Sequence, residues 1–506
     1  MRSSELRIGE IAHNLGTSIT RRQMLKRIGT LSLAASSLAG LLSACSAPTG
    51  SPTTPPAVVP KSETSAGLTP TAVQAGASAT PAAPAVGAST PPKTKASSPV
   101  VLRWWHWAGA HVETQKKLVA EYQKQFDGNV SVEITAFPNV DQQKVAVKTA
   151  LLGEGGPDIV ASLPGADTVG YALANNFLTY DETFRAEPAW AQSFFPFSRN
   201  LTTVNEKVWS VVPVVNAVGI WYNKALLAKH NLKVPASIEE LKRAGEVLRA
   251  AGIIPLGLAG GQDSTQPMFP FFWAVSGLGG GNTMRQADLG KTPWTSPELV
   301  QAMQIVDDLV KSSLFQPGVL GVKEPDNIGL LATGKAAMLL TGNFVRNGLT
   351  KALQPGVEVG FAPLPAVKAG GLVTALASIG LPMSVNRASK NADVALELVR
   401  FMTRDRGKLS YSGGVGVPPN GPVDPASEKE LAAMVNDPSW GDCLAVQRQA
   451  NGLRDIFTPS VFEALSQATQ SVLSGRATPE VAMQQVEAVS KQAGTRNFQI
   501  PDWKFA

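Results

Sequence analysis

From residue 100 onward, the apolar positions switch back and forth between the period of a strand and that of a helix. "VVLRWWHW" (100–107) is a short run rich in Val and Trp and reads as a strand. In "TQKKLVAEYQKQF" (114–126), Leu118, Tyr122 and Phe126 recur every four residues, which puts them on one face of a helix. "VSVEITAF" (130–137) then alternates as a half-buried strand does. Further along, Ser237-Ile238-Glu239-Glu240 has the spacing of a capping box. Leu241, Ala244, Leu248 and Ala251 follow on one stripe, with Gly252 just past the end. Ser296-Pro297 and Thr478-Pro479 each read as an N-cap followed by Pro in the first helical position. This alternation predicts an α/β fold with mainly parallel sheets. About 400 residues exceed one ordinary core, so two lobes are expected.

The first hundred residues carry a different pattern. "TRRQMLKRIGTLSLAASSLAGLLSAC" (20–45) sets Arg21 and Arg22 ahead of an apolar run that ends at Cys45. Basic region, apolar core and small-residue cleavage site occur in the order of a secretory signal. Arg21-Arg22 with Met24-Leu25-Lys26 resembles a twin-arginine export signal, and Leu42-Ser43-Ala44-Cys45 resembles a bacterial lipobox. In that reading residues 1–44 are removed and Cys45 carries the lipid. A spanning helix is the weaker reading, because four serines and two glycines make the run polar and short. Acyl chains on Cys45 would hold the protein at a membrane without one.

Charge and composition then change meaning. The chain has a net charge of +6, but residues 1–44 hold six basic and two acidic residues, so about +2 remains on the rest. That balance does not point to nucleic acid or to a polybasic membrane surface. Residues 45–99 consist largely of Ala, Pro, Ser, Thr and Gly and contain no aromatic residue. Such a stretch cannot bury enough apolar surface to offset the entropy of ordering and reads as a disordered tether. The only cysteine besides Cys45 is Cys443, so no internal disulfide is expected once Cys45 is lipidated.

Five motifs carry a family resemblance. "LLGEGGPDIVAS" (151–162), "VPVVNAVGIWYNKALLAKHNLKVPASIEELKRAGEVLRAAGIIPL" (212–256), "GKAAMLLTGNF" (334–344) and "SKNADVALELVRFMT" (389–403) occur in order, followed by "SGRATPEVAMQQV" (474–486). Together they resemble family 1 extracellular solute-binding proteins, the sugar-capturing subunits of ABC importers, of which maltodextrin-binding proteins are the best known. The resemblance implies a two-lobe periplasmic-binding-protein type II clamshell. One lobe would take residues 100–214 plus 372–415, and the other 215–371 plus 416–506. A hinge is expected near Pro213–Val218, where Pro213 lacks an amide hydrogen and Ala217 and Gly219 are small. The implied partners are a carbohydrate ligand, the transmembrane subunits of an ABC permease and the membrane through the lipid anchor. No cofactor and no nucleic acid are implied, and the protein is expected to act as a monomer on the outer face of the cytoplasmic membrane.

Sugars present hydroxyls around the ring and C–H faces above and below it, so they suit aromatic platforms with amides and hydroxyls alongside. Ligands of α/β sheets sit beyond the carboxyl ends of the strands. His106 and Trp107 close the first strand. Alternation puts Trp104 and His106 on one side and Trp105 and Trp107 on the other, with Trp104 and Trp105 expected mainly in the core. The resemblance carries over the remaining positions. Ser162 follows "GPDIVA" at a strand end, and Asn216 stands where maltodextrin-type members have an acid. Gln266 and Trp273 fall in a Gly/Pro-rich loop region. Asn343-Phe344 follows "GKAAMLLTG", where the family stacks an aromatic on the sugar. None of these eight is charged, which predicts a largely uncharged ligand; Arg103 and Arg346 are the nearest charged exceptions.

Other chemistry fits less well. A secreted glycoside hydrolase would need two carboxylates facing across a cleft, and Asp167, Asp181 and Glu182 lie in no recognisable catalytic motif. A ligand sensor for a signalling receptor would use the same fold. His106, His111 and Glu113 do not complete a metal site, and "GLGGG" (277–281) lacks the strand, turn, helix and downstream acid of a dinucleotide fingerprint.

Overall fold

The computed structural model describes residues 98–107, 112–125, 129–152, 156–194, 196–212, 214–368, 370–405, 438–453 and 455–501. The signal at 1–44 with Arg21, Arg22 and Cys45, nearly all of the tether, Phe126, His111 and Pro213 lie outside the described residues. Among the described residues no helix is long and apolar enough to cross a membrane.

The first sheet has four strands in the order β9–β3–β1–β2: β1 (Val100–His106), β2 (Val130–Ala136), β3 (Ile159–Ala161) and β9 (Met383–Val385). β1 runs parallel to both β2 and β3, and β9 runs against β3. The helical stripe beginning at Leu118 forms α1 (Val112–Lys124), with Leu118 and Tyr122 buried against Leu102, Trp104 and Ile159. α2 (Val140–Ala150) follows β2, capped by the Asn139 side chain, which accepts from the Gln142 amide. α3 (Ala166–Leu173) follows β3, and α7 (Ala392–Arg400) follows β9.

The second sheet runs β10–β8–β4–β6–β5, with β7 also paired to β4. Its strands are β4 (Val214–Asn223), β5 (Ile254–Gly257), β6 (Ala336–Gly342), β7 (Val359–Ala362), β8 (Leu376–Gly380) and β10 (Gly452–Leu453). Around it pack α4 (Ile238–Ala250), α5 (Phe269–Leu278), α6 (Pro297–Lys311), α8 (Pro438–Arg448), α9 (Pro459–Leu473) and α10 (Pro479–Gln492). The caps read from sequence are present at α4: Ser237 accepts from the Glu240 amide at 3.3 Å. The Glu240 carboxylate reaches back to the Ala236 amide at 2.8 Å, one residue earlier than in the ideal box. Gly252 leaves the helix at φ +74°, a conformation that glycine adopts without strain.

Two features differ from expectation. The second sheet is mixed: only β5–β6 and β8–β10 are parallel pairs, because β4 enters from the first lobe and therefore runs against β6 and β8. The return to the first lobe also comes later than residue 372. Residues 376–380 are hydrogen-bonded in the second sheet, while 383–385 belong to the first. The chain therefore crosses at Leu381-Pro382, with Leu381 at φ +52°, an uncommon conformation for a branched residue. Beside it runs the outward crossing: Val211 bridges Met383, and Val214 already pairs with Gly380. The two crossing segments thus lie side by side. Toward the C-terminus the chain touches the first lobe again, where Gln499 and Asn205 exchange hydrogen bonds of 2.7 and 2.9 Å and Phe498 joins the cluster of Val160 and Phe177.

Candidate functional site

Strand directions define where a site can lie. β1, β2 and β3 are parallel and end at His106, Ala136 and Ala161, so Trp107, Asn139 and Ser162 leave from one edge of the first sheet. In the second sheet β5 and β6 end at Gly257 and Gly342, and β4 begins at that same edge, since Val218 pairs with Gly342. Asn216 lies two residues further out. Because the crossing segments pass from this edge to the β9–β3 end of the first sheet, the two carboxyl edges face each other, as ligand sites of α/β sheets require.

Three of the residues expected from sequence place a polar oxygen in this region that has no hydrogen-bond partner among the described residues. They are Ser162 Oγ, Asn216 Oδ1 and Gln266 Oε1, on residues only 2, 6 and 4 % exposed. Buried polar atoms are seldom left unpaired, so each of these asks for a donor from elsewhere. Gln266 sits in a short 3-10 turn (Gln266–Met268). Its backbone amide is fixed by Asp263 Oδ1 at 3.0 Å, and its Nε2 donates to Glu324 Oε2 at 3.0 Å. An ionised carboxylate only accepts, so Glu324 turns the amide nitrogen of Gln266 toward itself and leaves the carbonyl oxygen pointing away. Burial, with the charge of Asp263 added, pushes the Glu324 carboxyl up to about 7.

The first strand follows the expected alternation: Leu102, Trp104 and His106 are buried, and Arg103 is exposed. His106 packs edge-on against Trp104 with ring centroids 5.4 Å apart, whereas Trp107 is half-buried at the strand end. Trp105 departs from its expected place in the core. It is only partly buried and meets Phe137, with centroids 5.4 Å apart.

Two of the expected residues are spent internally. Trp273 is not in a loop: it lies in α5, fully buried among Phe269, Phe271 and Val275, and its indole donates to the Pro365 carbonyl at 2.7 Å. Gly and Pro near 260–270 suggested a loop, but a run of ten almost wholly apolar residues forms a buried helix here. Asn343 is fully buried as well. Its Oδ1 accepts from the Ala217 amide at 3.1 Å, and its Nδ2 faces Gln447 Oε1 at 3.5 Å. Gln447 in turn donates to the Val215 carbonyl at 2.9 Å. Asn343 and Gln447 therefore brace β4 on either side of Asn216. Phe344 is partly buried, and its ring lies across Gly342. A Cβ at 342 would meet the ring at 2.0 Å, so the aromatic takes this place only because residue 342 is glycine.

Sequence reasoning missed several contributors. Asp141 and Lys144, three apart near the start of α2, share a face at the carboxyl edge of the first sheet. Asp141 accepts from the Ser264 amide at 2.9 Å and from its hydroxyl at 2.8 Å. Lys144 Nζ lies 3.2 Å from Glu463, 3.4 Å from Asp167 and 4.7 Å from the centre of the Phe462 ring. Their position after a strand end was the available signal. For Gln447 there was none, since it stands far along the chain and outside every motif. Arg346, the nearest charged exception, is buried over Trp440 at 5.2 Å and donates to Ser439 at 3.1 Å. Asp167 is engaged by Lys144, and Asp181 Oδ1 takes the Val208 amide at 3.4 Å.

A family model of bacterial extracellular solute-binding proteins matches residues 108–409, well over half of the chain. The chain belongs to that family. This solute-binding protein is 25 % identical over 314 residues to the multiple sugar-binding protein of Streptococcus mutans, covering 60 % of the chain and 71 % of the relative. It is 21 % identical over 317 residues to the diacetylchitobiose binding protein of Streptomyces coelicolor, covering 57 % and 66 %. Among solved structures, a chitin oligosaccharide binding protein superposes with a TM-score of 0.69 at 22 % identity, over 78 % of this chain and 99 % of that one. A maltose-bound protein from T. maritima gives 0.63 at 21 % identity, over 78 % and 99 %. At these identities the solved structures establish the fold: a two-lobe α/β binding protein. The matched span of this solute-binding protein contains Ser162, Asn216, Gln266, Asn343 and Phe344, and leaves His106, Trp107, Gln447 and Glu463 outside it.

Proposed function

We propose that this solute-binding protein captures a neutral sugar, an oligosaccharide or a related polyol, between its lobes and hands it to an ABC permease without altering it. Cys45 serves as its lipid anchor outside the cytoplasm, after export on the signal at Arg21-Arg22. The names of the relatives support the class of ligand: multiple sugar-binding, diacetylchitobiose binding and maltose-bound. The observation that carries the reading is the set of three buried oxygens, Ser162 Oγ, Asn216 Oδ1 and Gln266 Oε1, at the facing edges. Two are amide carbonyls that only accept, and a ring of hydroxyls supplies the donors they lack. Trp107 and Phe344 offer the apolar faces.

The test is a thermal-shift and calorimetry panel of maltotriose, raffinose, diacetylchitobiose and simple polyols against the full-length protein. A ligand that binds only the folded state raises the melting temperature. At least one neutral member is expected to do so, with affinity little changed by added salt and with the carbohydrate recovered intact. Tight binding restricted to a sugar phosphate and abolished by salt would overturn the reading, as would release of reducing ends at enzymatic rates. For the anchor, Cys45→Ala is expected to move the protein out of the membrane fraction or leave it uncleaved.

A further inference from the structure

We infer that the end of the first lobe opposite the cleft is a membrane-contact face, a group of exposed apolar side chains ringed by cations that rests on an anionic lipid surface. Strand direction defines that end. β1, β2 and β3 all begin there, and α1, α2 and α3, each following one of them, run back to it. Loop contacts hold the pieces together. The Arg103 carbonyl takes the Asp158 amide at 2.8 Å, Asn386 bridges Phe177, and a Cβ on Gly156 would lie 3.3 Å from the Ala150 carbonyl. The strand starts and the far ends of α2 and α3 are therefore neighbours.

Eight large apolar side chains among the described residues stand more than two-fifths exposed, and four of them belong to this lobe. Val145, 68 % exposed, and Leu152, 91 % exposed, lie seven residues apart on the outer side of α2 and just past its end. Leu173 closes α3, and Val101 is the second residue of β1. Alternation puts Val101 on the same side of the sheet as Trp105, which packs toward Val147 of α2 and Val169 of α3. All four thus lie on one side of the first sheet. Single exposed apolar residues are ordinary, but four drawn from three elements and gathered in one region form a patch.

The charges say what the patch fits. Exposed Lys148 stands between Val145 and Leu152, and exposed Lys124 ends α1. β9 runs against β3, so Arg387 and Lys390, which follow it, emerge at the same end. Arg387 is fixed beside Leu173, donating to the Asn175 and Phe177 carbonyls at 3.1 and 3.0 Å. Against these cations stand Asp393 at the start of α7 and Glu133, the latter level with Arg103 on the neighbouring strand. The small net charge of the whole chain hides this local excess. Ser98 and Pro99 lead into β1 here, so the chain enters the lobe at this end. Residues 45–99 hold three lysines and one acid and cannot neutralise the cations. A second copy meeting the first through the same face would set cation against cation. An anionic lipid surface offers phosphates to the cations and an apolar boundary to Val145 and Leu152. Attachment through Cys45, on which this inference rests, keeps the lobe near that surface, so a weak contact suffices. The cleft, at the other end of the lobe, stays clear of the lipid.

The experiment reconstitutes the full-length chain into vesicles of phosphatidylglycerol and phosphatidylcholine that carry a quencher lipid. A fluorophore goes on Thr149→Cys, exposed between Val145 and Leu152, or, as the control, on Val247→Cys, exposed on α4 of the second lobe. Quenching is expected to be severalfold stronger at 149 than at 247, and to fall to the control level in phosphatidylcholine alone or at high salt. Lys148→Gln and Lys390→Gln should each lower the ratio of surface-bound to detached lobe about 5-fold, with the melting temperature unchanged. Leu152→Ser should act in the same direction, which tests the apolar contact apart from the charges. Flotation reports attachment separately. A chain that floats with both positions equally quenched keeps the anchor and overturns the face; a chain that does not float sinks the anchor and this inference with it. Energy transfer between labelled copies at 149 that persists at low protein density would assign the face to a second copy and overturn the lipid reading.

Discussion

The residues nominated at the two facing edges, Trp107 from a strand end and the others from the family resemblance, came out differently. At the edge of the first sheet, Ser162 and Trp107 follow strand ends directly: Ser162 Oγ has no partner among the described residues, and Trp107 is half-buried. At the edge of the second sheet, Asn343 and Trp273 are consumed by the protein itself, and Gln266 is half consumed. The second edge is where the chain enters the lobe through β4, so its backbone groups beyond the ladder need side-chain partners. Asn343 and Gln447 supply them on either side of Asn216. Strand ends locate a site; long-range hydrogen bonding decides which side chains remain available to a ligand.

The largest expected effect tests the most extreme case on the consumed side. Trp273→Ala removes a fully buried indole and its bond to Pro365, and should cost about 3–5 kcal/mol of folding stability by chemical denaturation. Sugar affinity per folded molecule should stay unchanged. A loss of affinity with stability intact would return Trp273 to the site.

Next comes the pair of asparagines, which share a strand edge and differ only in their partners. Asn343→Ala strands the buried amide of Ala217 and should cost about 1–3 kcal/mol of stability. Asn216→Ala removes an oxygen that has no partner among the described residues, so unfolding should hardly change while carbohydrate affinity drops. Equal destabilisation by both would erase the contrast between brace and contact. Of similar or smaller size is Phe344→Ala, expected to weaken sugar binding by roughly 1–3 kcal/mol through lost apolar contact, measured by titration calorimetry. Gly342→Ala should mimic it, because a methyl group there displaces the ring.

Much of this was legible in the chain. Local signals sufficed for α4, whose cap, stripe and Gly252 all lie within sixteen residues, and for the strands at Val100 and Val130. The boundary near residue 372 misled, because whether "LASIG" (376–380) belongs to one lobe or the other depends on its pairing with β4, some 160 residues earlier. Trp273 misled for a related reason. Gly and Pro upstream mark a turn, but ten consecutive residues with hardly a polar side chain outweigh them once a core is available. Gln447, Glu324 and Glu463 were invisible, since each earns its place through a contact more than fifty residues away.

Glu324 gives the smallest effect and the finest probe of the half-consumed case. Its carboxyl is pushed up to about 7 by burial and by Asp263, against an ordinary value of 4.5 in the unfolded chain. Between pH 4.5 and about 7 the folded protein thus holds a proton that the unfolded chain has released. Its stability should fall as pH rises through that window and level off above it. The limiting slope is ~1.4 kcal/mol per pH unit, and because water partly reaches Glu324 we expect a total nearer ~1 kcal/mol. Asp167 and Asp288 are also raised by burial and contribute with the same sign, so the quantity to measure is the difference between the parent and Glu324→Gln. Denaturation midpoints at intervals from pH 5 to 8 should run flatter for Glu324→Gln. The substitution also bears on the site, because a neutral amide at 324 both donates and accepts and no longer forces the nitrogen of Gln266 toward it. If Gln266 Oε1 is the ligand's acceptor, carbohydrate affinity should weaken modestly in Glu324→Gln, and in the parent as the pH drops below about 7. Parallel pH profiles of stability in the two proteins would show that Glu324 ionises as freely in the fold as outside it, and that Gln266 is turned by something else.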